Sequence, residues 1–123
     1  MQQLNLPTYK FRIKSSENKL FIFDIIRKKY VVLTPEEWVR QHFVWFLIEE
    51  KKYPISLIAV EKKLTINKLT KRTDILIFNA EGNPDIIVEC KAPSIKITQE
   101  TFEQIATYNI QLKVEYFLFF LGY

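Results

Sequence analysis

A single cysteine, Cys90, rules out an internal disulfide, so nothing in the covalent chemistry points to a secreted scaffold. One histidine, His42, beside one cysteine makes a structural zinc site a poor reading, and it leaves a thiol nucleophile without an evident base. Two glycines and five prolines leave little material for long flexible segments. The longest aliphatic and aromatic run, Phe43 to Ile48, is far too short to span a bilayer. The opening residues, Met-Gln-Gln-Leu-Asn, are polar and lack the apolar stretch of a signal peptide. A cytoplasmic protein without a membrane partner is the expectation.

What is present fits a globular domain. The 123 residues suit one hydrophobic core, with 48% hydrophobic and 26% charged residues. Aromatics reach 15%, and Trp38, Trp45 and most of the phenylalanines are expected in the core. A net charge of +4 is compatible with a nucleic-acid partner, and equally with a solvated basic surface.

Along the chain, Tyr9 to Lys14 and Leu20 to Ile26 are rich in β-formers and flank the turn cluster Ser15-Ser16-Glu17-Asn18, which predicts an N-terminal hairpin. Thr34-Pro35-Glu36-Glu37 opens a helix to about Lys51: Thr34 at the N-cap, Pro35 in the first turn, and Glu37 where a capping box takes its carboxylate. The second half of this helix is apolar on every side, so it must be covered by a sheet and by something else. Leu57 to Ile66, Thr70 to Phe78 and, after the turn Asn79-Ala80-Glu81-Gly82-Asn83, Asp85 to Lys91 read as strands. A second helix is expected over about Gln99 to Leu112, with Thr98 as its cap, and a final buried strand over Tyr116 to Leu121. The order α-β-β-β-α-β predicts an α/β fold: a mixed sheet flanked by helices, the last strand parallel to the third after a helical crossover. A single domain over 1–123 is expected, with 1–30 as a hairpin extension and 31–123 as its core.

The chemistry concentrates between Thr73 and Lys91. Glu89 and Lys91 stand two apart on one strand and share a face, while Val88 and Cys90 take the other. If Glu81-Gly82 is a two-residue turn, positions whose numbers sum to 163 face one another, and Asp74 then faces Glu89 across about 5 Å; a longer loop shifts the pairing by a residue and keeps the two carboxylates near neighbours. Two carboxylates so close repel unless a cation joins them. Mg²⁺, with Mn²⁺ as the alternative, takes one or two carboxylates and keeps further positions for water and phosphate. Lys91 would orient or deprotonate a water, or stabilise charge on phosphorus oxygens. These are the parts of metal-assisted phosphodiester hydrolysis. The bland alternative is a surface Glu89–Lys91 pair.

Thr34-Pro-Glu-Glu-Trp-Val-Arg-Gln, Lys71-Arg-Thr-Asp-Ile, Ile87-Val-Glu-Cys-Lys-Ala-Pro and Thr98-Gln-Glu-Thr-Phe-Glu-Gln-Ile-Ala-Thr-Tyr-Asn together resemble the N-terminal nuclease domain of type I restriction enzyme R subunits, within the PD-(D/E)xK superfamily. The resemblance runs from about Val31 onward. It implies the restriction-endonuclease-like fold and Mg²⁺-dependent cutting of DNA, with Asp74 and Glu89 as metal ligands and Lys91 as the catalytic lysine. It suggests Glu37 as a further acidic member, against the capping-box reading. Gln104 and Tyr108 match a Gln-x3-Tyr motif that supports the site and contacts DNA in related members. The chain is too short for the translocase of a full R subunit, so a protein partner would supply translocation or sequence recognition.

Other residues have two readings each. Gln41, one turn after Glu37, lines the site or is solvated. Lys68, Lys71 and Arg72 contact phosphates or form a solvated basic turn. Cys90 is expected to be a small buried residue, and His42 to lie on the helix surface. The rival functions are a nuclease-fold module that binds nucleic acid or protein without cutting, and an assembly domain that forms a homodimer through its aromatic first helix.

Overall fold

The computed structural model describes residues 3–5, 9–66, 68–91, 98, 100 and 113–120. Within them lie one short strand, β1 (Gln3–Asn5), a run of three, β2 (Ile13–Ser16), β3 (Lys19–Asp24) and β4 (Lys29–Val32), then helix α1 (Pro35–Glu49). A 3-10 turn at Ile55–Leu57 leads into β5 (Ile58–Ile66), β6 (Leu69–Phe78) and β7 (Pro84–Lys91), and β8 (Lys113–Phe120) follows.

β2, β3 and β4 form one antiparallel sheet in sequence order; the other five strands form a second, ordered β1-β8-β7-β6-β5. The expected N-terminal hairpin therefore gains a third strand. Its first turn is tight: Ser16 pairs with Lys19, and Glu17 and Asn18 take φ of 51° and 63°, the left-handed pair that matches strand twist in a two-residue hairpin. The second turn has no glycine or proline. It is held instead by Asp24, whose Oδ1 accepts from the amides of Ile26 (2.7 Å) and Arg27 (3.0 Å).

α1 starts where its local signals say. Thr34 is extended (φ −111°, ψ 166°), its side chain accepts from the Glu37 amide, and Pro35 fills the first helical position. The helix is buried on two sides. Val39, Phe43, Val44 and Leu47 pack with Ile58, Val60, Ile75, Ile77, Ile86 and Val88 of the larger sheet. Trp38 packs with Ile22 of the smaller one and with Leu33, which follows β4. The second cover that an all-round apolar helix demands is thus the three-stranded sheet. Leu76 alternates with Ile75 and Ile77 and is also fully buried, so β6 is covered on both faces.

Two expectations differ from the structure. β8 pairs antiparallel with β7, Glu89 facing Phe117, so all pairings among the described strands are antiparallel and the sheet there is not mixed. An apolar strand shows burial but not direction; here the end of β7 and the start of β8 lie side by side, Lys91 facing Glu115. His42 is buried rather than on the helix surface, at 1% exposure. The β6–β7 connection is the turn expected over Asn79 to Asn83, the longer of the two loops considered. Phe78 pairs with Pro84, Asn79 caps the loop by accepting from the amides of Glu81 and Asn83 (both 3.0 Å), and Gly82 takes a positive φ of 84°. The expected second helix, Gln99 to Leu112, lies outside the described residues. Among the described residues no helix is long and apolar enough to cross a membrane.

Candidate functional site

An irregularity between Ile77 and Phe78 resets the β6–β7 pairing, so that Ile77–Ile86, Leu76–Ile87 and Ile75–Val88 face one another. That is the register expected of a two-residue turn, reached through the longer loop. One step further it sets Asp74 opposite Glu89, but the ladder stops at Ile75. On the other side of β6 the pairs run Val60–Ile75 and then Lys62–Thr73, with Glu61 in a left-handed conformation (φ 53°) and no pair at Asp74. Asp74 therefore sits where β6 loses regular pairing with both neighbours.

Its carboxylate takes over from the missing ladder. Oδ2 accepts from the Cys90 amide at 2.9 Å, and Oδ1 from Nη2 of Arg40 at 2.9 Å. Arg40 comes from α1, and its Nη1 donates to Glu37 Oε1 at 2.8 Å. Glu37 Oε2 accepts in turn from Arg27 Nη2 (2.8 Å) and Gln41 Nε2 (3.0 Å). Arg27 also pairs with Asp24, and Glu61 approaches both guanidinium groups at 3.4 Å. Four carboxylates, Asp24, Glu37, Glu61 and Asp74, thus share two cations in one connected network. Burial opposes the charge on Arg40, but the carboxylates of Asp74, Glu37 and Glu61 outweigh it and hold its pKa above the ordinary arginine value. Arg27 is raised in the same way by Glu37 and Asp24.

These bonds place two side chains. Glu37 is 6% exposed; Thr34 caps its amide, but its carboxylate turns into the network. Gln41 is wholly buried against Glu37, which excludes a solvated side chain. Cys90, expected to be a small buried residue, is partly buried and packs against the main core. Loss of water pushes its thiol pKa up; Asp74, Glu89 and Glu37 add to the rise while Arg40 opposes it, so these charged groups all act at one point.

Glu89 is half-buried on β7, with Oε1 withdrawn from solvent. Lys91 closes β7 opposite Glu115, and Lys71 sits on β6 opposite Leu64; neither side chain is among those described. Arg72 is exposed. Gln104 and Tyr108 lie outside the described residues. Among the described residues no group of three or more His, Cys, Asp or Glu side chains gathers as a metal cage. Asp74 and Glu89 are the two carboxylates of this region that could hold a cation such as Mg²⁺, which takes one or two carboxylates from a protein. The excess of carboxylates over guanidinium groups beside them suits a divalent cation electrostatically.

Sequence reasoning missed Arg40, Arg27, Glu61 and Asp24. The spacing of Glu37, Arg40 and Gln41 at i, i+3 and i+4 was a usable signal for the first. Arg40–Asp74 and Arg27–Glu61 each join residues 34 apart, and no local pattern announces such a pair.

A family model described as the type I restriction enzyme R protein N terminus matches residues 35–120. None of the curated proteins and none of the solved structures compared with the chain gave a match.

Proposed function

Because the chain belongs to the type I restriction enzyme R protein N-terminus family, we propose that it is a Mg²⁺-dependent nuclease domain of the PD-(D/E)xK kind, hydrolysing phosphodiester bonds in DNA. The observation that carries this reading is Asp74 at a break in the sheet, one position beyond the last β6–β7 pair and in register with Glu89, with Lys91 two residues after Glu89. Asp74 and Glu89 would hold the metal, with Mn²⁺ able to replace Mg²⁺. When bound, the ion supplies charge neutralisation at the scissile phosphate. Lys91 then orients the attacking water or takes its proton at Nζ, and stabilises charge on the phosphorus oxygens. Glu37 acts through Arg40, which fixes the Asp74 carboxylate. Gln41 locks Glu37 from the next turn, and Lys71 and Arg72 lie on the strand that delivers Asp74, suited to phosphates. Gln104 and Tyr108 support the site as the family motif implies. Sequence recognition or translocation comes from a protein partner.

One observation favours a second reading. A guanidinium already bonds the Asp74 carboxylate, as it would in a nuclease-fold module that binds without cutting. Plasmid DNA incubated with the purified protein and Mg²⁺ or Mn²⁺ separates the two. Cleavage that disappears in Lys91→Ala and Asp74→Asn supports the enzyme. No cleavage with either metal, or equal cleavage by Lys91→Ala, refutes it.

A further inference from the structure

The core against α1 ends at Val60 and Ile75, yet β5 and β6 continue as a pair from Lys62–Thr73 to Ile66–Leu69. β7 pairs with β6 only between Ile75 and Phe78, so this part has no third strand among the described residues. Among the described residues it is a two-stranded ribbon. Four steps from Lys62 to Ile66 carry it about 13 Å outward. Lys62, Lys63, Thr65, Lys68, Leu69, Thr70 and Arg72 are all exposed, Leu69 at 76%. Lys68 has φ 68° in the two-residue connection at the tip.

The ribbon also holds the chain's positive charge. Residues 62–72 contain five Lys and Arg and no Asp or Glu; the remaining residues hold thirteen Lys and Arg against fourteen Asp and Glu. On one face Lys63 stands directly opposite Arg72, next to Thr65 and Thr70, whose hydroxyls bond at 2.9 Å. Like charges placed opposite each other on paired strands destabilise a sheet, and no carboxylate within the ribbon relieves them. A polyanion would. A two-stranded ribbon fits the B-form major groove, about 12 Å wide, and not the deep, narrow groove of A-form RNA. Arg72 and Asp74 lie two residues apart on β6, about 7 Å, so a phosphate backbone held by the ribbon runs beside the candidate centre.

We propose that the β5–β6 ribbon is an arm that docks duplex DNA in its major groove, with Lys63 and Arg72 on backbone phosphates. The choice of DNA rests on the functional reading above; the docking itself needs no cleavage.

The test is therefore binding in EDTA. A fluorescent 20-base-pair duplex is titrated by anisotropy from 50 to 300 mM salt with wild type, Lys63→Gln/Arg72→Gln, and the control Lys10→Gln/Lys19→Gln. The ribbon double variant should bind at least tenfold more weakly at 100 mM salt. Its slope of log K against log salt should fall by about two, near one unit for each phosphate no longer neutralised. The control should match wild type. Circular dichroism should show the ribbon variant melting no lower than wild type, since a repulsive pair is removed. An unchanged slope in the ribbon variant overturns the proposal. So does equal weakening in the control, equal competition by an RNA duplex, or binding to phosphatidylserine vesicles without binding to the duplex. Weakened binding in the ribbon variant of a protein that never cleaves would leave the arm standing and remove only the enzyme.

Discussion

His42 makes the fold sensitive to mild acid. Its Nδ1 lies 2.8 Å from the Trp38 carbonyl, which accepts from it in the neutral tautomer. The ring is enclosed by Trp38 (4.3 Å between centroids), Phe11 (4.7 Å) and Tyr9 (6.4 Å). Nε2 is buried with no hydrogen-bond partner among the described residues, so a proton added there gains a charge and no acceptor. Burial lowers the pKa from 6.5 to about 4, and the Trp38 carbonyl offsets only part of that. The unfolded chain therefore binds the proton first. Between pH 6.5 and 4 it holds more protons than the native state, so stability falls as pH falls through that window and is fully present above it. At 1.36 kcal/mol per unit, the whole shift is worth about 3 kcal/mol. Urea unfolding followed by tryptophan fluorescence at pH 7.5, 5.5 and 4.5 should show this loss. His42→Gln, which has no titrating ring, should flatten it at the cost of a lower plateau. If wild type and His42→Gln decline in parallel between pH 6.5 and 4.5, the ring is not buried as a neutral group and the reasoning fails.

Arg40→Met should destabilise the fold by about 3 kcal/mol, because it leaves Glu37 and Asp74 without their shared cation in a largely buried setting. Mg²⁺ should raise the melting temperature of that variant more than that of wild type; an identical shift in both would show that Asp74 is not part of the cation's site. Thr34→Ala should cost about 1 kcal/mol in chemical denaturation through loss of the cap on the Glu37 amide. Cys90 should resist a thiol reagent at pH 8 in the native protein and react fully once unfolded, since burial and neighbouring carboxylates raise its pKa; fast native labelling would contradict that.

What could be read from the sequence was local or periodic. Thr34-Pro35 fixed the start of α1 because capping is settled within one turn. The alternation of Ile75, Ile77, Ile86 and Val88 fixed which face of β6 and β7 meets the core, and with it the register that brings Asp74 toward Glu89. The turn over Asn79 to Asn83 was legible, and this longer loop still keeps the register of a two-residue one, because burial of the isoleucines outweighs the loop and an irregularity absorbs the difference. β4 was missed because its turn relies on the Asp24 side chain instead of glycine or proline. The direction of β8 was misread because an apolar strand carries no directional signal. His42 was misplaced because the cover on that side of α1 comes from Phe11 and Tyr9, more than thirty residues upstream.

The network around Arg40 also explains why the helix carries charge where it is most buried. Two guanidinium groups and four carboxylates held largely out of water are a poor source of stability: desolvation consumes most of their attraction, and well-packed apolar residues of the same volume would serve α1 at least as well. What apolar residues could not do is hold a carboxylate at a defined place. The network joins the turn after β3, two successive turns of α1, the distorted point of β5 at Glu61, and Asp74 at the gap in the sheet. Each member has a partner on another element, so Asp74 cannot swing without breaking bonds to both Arg40 and the Cys90 amide. In the proposed enzyme that constraint is the function of the network. A ligand carboxylate held before the metal arrives spares the ordering cost at binding, and the helix contributes to the centre through the arginine rather than through its own glutamate.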